Sequence, residues 1–209
     1  MTSRNARRAG TAAVFLACAL PLALLGADAL RGRLGANPIE AAMNRLGWWT
    51  LFLLLVALSP TPLRIVSGWT WPARHRRMLG LFAFAYACLH LAVYAGVDQF
   101  FDWRAILADV AKRKFITIGM LAFALLVPLA LTSTDRAVRR LGYVRWKRLH
   151  RLVYAVAVCG VLHFAWRVKA DYREPAIFAG VLTLLLLARV VARRRLGRAQ
   201  SHSPADATS

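Results

Sequence analysis

Five histidines occur in this chain, and three of them, His90, His150 and His163, stand inside long apolar stretches. An imidazole in a hydrocarbon interior is costly without a partner, and inside a helix bundle that partner is commonly a haem iron or another metal. Two neutral imidazoles on both axial positions would leave iron no open site. One-electron transfer then remains as the chemistry, rather than oxygen binding. A zinc or copper transport site is disfavoured, because no Asp, Glu or Met stands beside the rings within the apolar runs. The bland alternative is that the three rings are structural glue, hydrogen-bonding across helices.

The elements that must position these rings are membrane spans. Of 209 residues, 59% are hydrophobic, and mean hydropathy is +0.48. Soluble domains sit nearer about 45–50% apolar. Six apolar stretches approach the roughly 20 residues needed to cross hydrocarbon. They fall at Thr11–Leu30, Leu46–Pro62, Leu79–Val97, Phe115–Leu131, Leu149–Trp166 and Pro175–Val191. The expected fold is an all-α integral membrane bundle of six transmembrane helices over residues 1–196, followed by a disordered polar tail over 197–209 that contains His202. The second stretch is expected to be short or bent at Pro60 and Pro62, and Pro21 and Pro128 are expected to kink their spans. The first stretch has features of a secretory signal, but it is long for one and reads as a true first helix.

A net charge of +20 invites a nucleic-acid reading, yet the basic residues cluster in short connectors between apolar runs. That is the pattern of orientation signals, and no basic soluble domain is present to bind nucleic acid. Alternate sides hold 19 and 10 Lys and Arg, while Asp and Glu divide two against seven in the opposite sense. Both termini are therefore expected on the cytoplasmic side. Under that topology the third and fifth spans run in the same direction. His90 lies 13 residues beyond Arg77, and His163 lies 12 residues beyond Arg151. Similar depths follow, and two imidazoles at one level on parallel helices can clamp a flat macrocycle, as in a bis-histidine b-type haem.

His150 fits less simply. Thirteen residues separate it from His163, a rise of roughly 20 Å and a rotation that leaves the two some 140° apart on a straight helix. A bend or π-bulge near Gly160 would be needed to bring them to one face. His75 lies 15 residues before His90, so a second haem held by His75 and His150 is one alternative; others are a flavin, quinone or propionate contact for His150. Arg76, Arg77, Arg148 and Arg167 are candidates for haem propionates or a flavin phosphate, against a plain topological role. Cys18, Cys88 and Cys159 read as packing residues. The seven tryptophans read as interfacial anchors near span ends.

At these residues the chain resembles a known family, the haem-binding membrane subunits of periplasmic protein-methionine-sulfoxide reductase systems (MsrQ/YedZ), within the ferric-reductase-like transmembrane group. The resemblance rests on Leu34 to Pro38, Arg76 to Leu81 running on to Leu89–Leu91, Thr132–Thr134, Arg139–Gly142, Trp146 to Tyr154 and His163 to Lys169. It implies a bacterial inner-membrane cytochrome of six helices with haem b, one or two, and FMN. Electrons would come from the quinone pool and pass to a periplasmic molybdopterin subunit that repairs methionine sulfoxide in oxidised envelope proteins. His90, His150 and His163 match the family's three histidines and are implied as haem-iron ligands, His150 the least firmly. The chain departs from two-haem members of the wider group, which carry two histidines on the third helix; the earlier position here is near Arg76 or Arg77. On this reading the chain is an electron-transfer subunit and not the catalytic one. The alternatives are a general transmembrane ferric or quinone reductase with another acceptor, and a non-redox transporter or structural membrane protein.

Overall fold

The computed structural model describes the backbone of residues 3–201 and the side chains of residues 4–192. The helices are α1 (Ser3–Leu30), α2 (Pro38–Leu58), α3 (Pro60–Ser67), α4 (Trp71–Ala92), α5 (Trp103–Lys112), α6 (Lys114–Leu131), α7 (Asp135–Leu141), α8 (Tyr143–Leu149), α9 (Leu152–Arg167) and α10 (Arg173–Ser201). A π-helical stretch, Val93–Asp98, continues α4. Among the described residues, six segments are long and apolar enough to cross a membrane: Arg4–Leu30, Pro38–Ser67, Trp71–Asp98, Lys114–Leu131, Tyr143–Arg167 and Arg173–Ala192. The expected six-helix membrane bundle is what the chain forms. Its outer surface carries large apolar side chains such as Leu16, Leu131 and Leu184, each 65–70% exposed, which suits a lipid surround and would be an aggregation liability in water.

Two tight helix pairs organise the bundle. α2 packs chiefly on α4, and α6 chiefly on α9; α10 lies against α9 and α3, while α1 lies outside α2 and α4. Tyr86 on α4, buried, donates a 2.8 Å hydrogen bond to the Cys18 carbonyl of α1. Asp28 at the end of α1 pairs with Arg45 of α2 at 2.5 Å.

Local chemistry explains where the boundaries differ from expectation. The second span begins at Pro38 rather than Leu46, because Asn37 caps it: its side chain accepts from the Glu40 amide at 3.2 Å, with Pro38 in the first turn. At the other end, Pro60 and Pro62 have no amide to give to the carbonyls of Val56 and Leu58. The Val56 carbonyl is taken by the Ser59 amide at 3.2 Å and the Ser59 hydroxyl at 2.8 Å. The Leu58 carbonyl is taken by Arg189 Nη2 at 2.5 Å. Arg189 is 9% exposed, and it also donates to the Tyr154 hydroxyl and lies over that ring. A charge that sequence reading counts towards topology thus closes a backbone gap inside the bundle.

The fifth span is not distorted at Gly160. It breaks at His150–Arg151, between α8 and α9, while Gly160 simply gives close passage to Leu51. The π-helical distortion lies instead in the third span, three residues after His90. α6 carries Pro128 and α1 carries Pro21 within continuous helix. The tail expected from Gly197 begins as part of α10, which runs to Ser201; residues 202–209, with His202, lie outside the described residues.

Candidate functional site

The bundle encloses a cavity of about 450 Å³ between the two helix pairs, lined from α2, α4 and its π-helical extension, α6 and α9. His90 and His163 both face it. Their ring centroids are 6.2 Å apart and their planes cross at 87°. The equal depth expected from counting residues is therefore realised, although α4 and α9 each pack mainly on another helix.

Both rings are held in the same way. His90 Nδ1 lies 2.9 Å from the Met43 carbonyl of α2, and His163 Nδ1 lies 2.6 Å from the Phe115 carbonyl of α6. A carbonyl only accepts, so Nδ1 must carry the proton in each ring, leaving Nε2 as the lone-pair nitrogen. Neither Nε2 has a protein hydrogen-bond partner among the described residues. A backbone bond at Nδ1 that fixes tautomer and orientation is a usual support of a metal-ligating histidine.

Each carbonyl is followed four residues later by a glycine, one helical turn on, and the ring lies against it. A Cβ on Gly47 would stand 3.2 Å from His90 Cε1, and one on Gly119 would stand 2.6 Å from His163 Nδ1. Sequence reading missed these glycines, since a lone glycine in an apolar run has many explanations. The signal available was the repeated spacing: Gly47 to His90 and Gly119 to His163 differ by a single residue.

The spacing of the two rings fits a metal macrocycle held between two imidazoles. Two metal–imidazole bonds of about 2 Å, plus roughly 1 Å from each nitrogen to its ring centre, sum to about 6 Å. The observed 6.2 Å separation agrees. Walls of Leu51, Leu54, Leu126, Val156 and Phe164 supply an apolar pocket, of a size suited to a cofactor. Trp48 belongs to this wall rather than to an interfacial belt; it sits mid-helix, stacked on Phe52 at 5.2 Å and edge-on to Phe178 at 5.5 Å.

His150 is elsewhere. It caps α8, its Nε2 is 3.1 Å from Thr132 Oγ1, and its ring lies 4.1 Å from that of Trp146. Trp146 in turn donates to the Thr132 carbonyl at 2.9 Å. His75 is buried against Trp71 at 4.6 Å. Of the arginine candidates, only Arg167 lines the cavity. Arg77 instead joins Asp135 at 2.7 Å, and Arg113, not foreseen, lines the cavity with Arg167.

Met43, Met120, Glu40 and Asp98 also line the cavity, so soft and acidic groups do share it with the histidines, contrary to what adjacency in sequence suggested. Even so, no cluster of three His, Cys, Asp or Glu side chains converges on a metal position among the described residues. The cysteines are free, Cys18 buried and the others partly so.

Comparison with known proteins places this geometry in a lineage. Residues 46–161 match the model of the ferric reductase like transmembrane component, a stretch that contains His90 and ends two residues before His163. The protein-methionine-sulfoxide reductase heme-binding subunit MsrQ of Rhodospirillum rubrum is 60% identical over 197 residues, 93% of this chain and 95% of its own length. The proteins of the same name from Azospira oryzae and Caulobacter vibrioides are 53% and 50% identical, over 88% and 87% of this chain and 80% and 87% of theirs. No solved structure matches the chain. Near-full-length identity at that level, together with the family match over residues 46–161, means that the chain belongs to the MsrQ family of the ferric-reductase-like transmembrane group.

Proposed function

We propose that this chain is the b-type haem subunit of a methionine sulfoxide repair system, with His90 and His163 as the axial ligands. The observation that carries the reading is the pair of Nε2 atoms without a hydrogen-bond partner among the described residues, in rings 6.2 Å apart on a cofactor-sized cavity. The names of the relatives, heme-binding subunits of a protein-methionine-sulfoxide reductase, agree with it. Bound there, haem would supply one-electron redox chemistry. The chain's own part is to present two fixed lone pairs, to keep water out with the Leu51, Leu54, Leu126 and Phe164 wall, and to hold both histidine tautomers through backbone carbonyls.

The finer parts of the proposal follow from the charge pattern and the family. Electrons come from the quinone pool and leave to a molybdopterin-containing reductase subunit on the periplasmic side, with both termini cytoplasmic in a bacterial inner membrane. The split of basic and acidic residues between alternate connectors supports that orientation. His150, hydrogen-bonded to Thr132 and stacked on Trp146, suits a contact to the donor better than an axial bond in this arrangement. FMN rests on family resemblance, and one haem per chain is the reading that the cavity lined by His90 and His163 supports.

The test is the optical spectrum and haem-to-protein ratio of the purified chain. The expected result is a six-coordinate b-type spectrum at one haem per chain, lost in His90→Ala and in His163→Ala and kept in His150→Ala. Haem retained in both cavity variants but lost in His150→Ala would overturn the ligand assignment. A wild-type chain without haem would overturn the function.

A further inference from the structure

The cavity is polarised. Its charged lining residues, Glu40, Asp98, Arg113 and Arg167, stand at the start of α2, the end of the π-helical stretch, the start of α6 and the end of α9. All four are therefore at the end of the bundle shared by the 1–2, 3–4 and 5–6 connectors, and the opposite end of the lining is apolar, closed by Leu54, Leu126 and Val156.

The charges are not equivalent. Glu40 accepts from Asn37 Nδ2 at 3.1 Å, and Asp98 accepts from Gln99 Nε2 at 2.8 Å. Arg113 shares Asp109, with Nε at 3.1 Å, and the same carboxylate accepts from the cavity-lining Tyr94 hydroxyl at 3.2 Å. That one contact uses Nε and leaves the terminal nitrogens of Arg113 for another acceptor. Arg167 has no ion pair among the described residues; its guanidinium lies 5.7 Å over the Phe164 ring. An arginine on a largely apolar cavity wall with an aromatic face beside it and no ion pair among the described residues is set up for an anion.

Resting on the haem reading above, we infer that Arg167, assisted by Arg113, is a carboxylate clamp that grips the acidic edge of the macrocycle at this end of the cavity. A b-type haem is held by no covalent bond and carries two carboxylates on one edge, so axial ligation alone leaves it free to rotate between the rings. The clamp removes that freedom. It orients the carboxylate edge towards the face formed by the three connectors, and the apolar edge into the Leu54, Leu126 and Val156 end. Both arginines are thus positioning residues, and the iron ligands are unchanged.

The experiment compares protohaem with its dimethyl ester, which keeps the ring and iron but has no carboxylate charge. The full-length chain, prepared without haem and held in lipid nanodiscs, is titrated with each and followed by the Soret band. Wild type should hold the free acid about tenfold or more tightly than the ester, as expected of charge-assisted bonds. Arg167→Gln should bring that ratio close to one by weakening the acid alone, Arg167→Lys should restore part of it, Arg113→Gln should lower it less, and Arg148→Gln, off the cavity, should leave it intact. Equal affinity of wild type for acid and ester would overturn the clamp while leaving the haem site standing, and so would a ratio unchanged in Arg167→Gln. A wild-type chain that binds neither form would overturn the haem reading itself.

Discussion

Replacing Gly119 by alanine tests the site at its tightest point. The added Cβ would lie 2.6 Å from His163 Nδ1 and 2.9 Å from Cε1. Ordinary contact needs about 3.5 Å, so ring and helix must part by roughly 0.9 Å. The ring cannot yield for nothing, because Nδ1 is bonded at 2.6 Å to the Phe115 carbonyl on the same face of α6. Moving away from residue 119 stretches that bond and shifts the His163 ring relative to His90. Overpacking costs about 1–3 kcal/mol and the weakened hydrogen bond about 0.5–1.5 kcal/mol. A combined loss near 2 kcal/mol corresponds to roughly 30-fold weaker haem binding. The helix itself gains from alanine by about 0.5–1 kcal/mol, so folding should hold while haem is lost. Gly47→Ala, with its nearest contact at 3.2 Å, should be milder, and Gly180→Ala, with nothing within 4 Å, should be silent. Haem titration of the three variants alongside thermal unfolding in detergent gives the answer. A Gly119→Ala protein that binds haem as tightly as Gly180→Ala would refute the close-packing argument.

Three further outcomes follow from the bundle. Arg189→Met should lower thermal stability of the purified chain by about 1–3 kcal/mol, the cost of leaving the Leu58 carbonyl unsatisfied in a proline-broken helix; Tyr154→Phe, which removes one of the arginine's acceptors, should cost less. Asn37→Ala should destabilise by about 1 kcal/mol through loss of the α2 cap, read by the same melts. Arg45→Ala, at a pair whose side chains are 46% and 29% exposed, should change stability by no more than about 1 kcal/mol and should matter less as salt is raised.

Much of this architecture was legible from the chain alone. Span number follows from runs of apolar residues, because a bilayer imposes one length on every crossing. The matched depth of His90 and His163 follows from their distance to the flanking arginines, because helical rise is constant. The interruption at Pro60 and Pro62 was equally visible, as the boundary between α2 and α3, since a missing amide is a local fact. His150 could be separated from His163 by the same helical arithmetic, although the break that separates them lies at His150–Arg151 and not at Gly160.

What needed the assembled bundle is whatever depends on partners distant in the chain. Met43 and Phe115 offer carbonyls to rings nearly 50 residues away, and a backbone carbonyl has no side-chain signature. Gly47 and Gly119 matter only because a ring crosses them. Trp48 looked like an interfacial anchor until α10 brought Phe178 to it. Arg113 at the start of α6 and Arg167 at the end of α9 share one cavity, while Arg189 reaches a carbonyl 131 residues earlier. Hydropathy and helical periodicity are one-dimensional and survive being read in order. Which ring meets which carbonyl is set by how two helix pairs close on each other, and only the packed chain decides that.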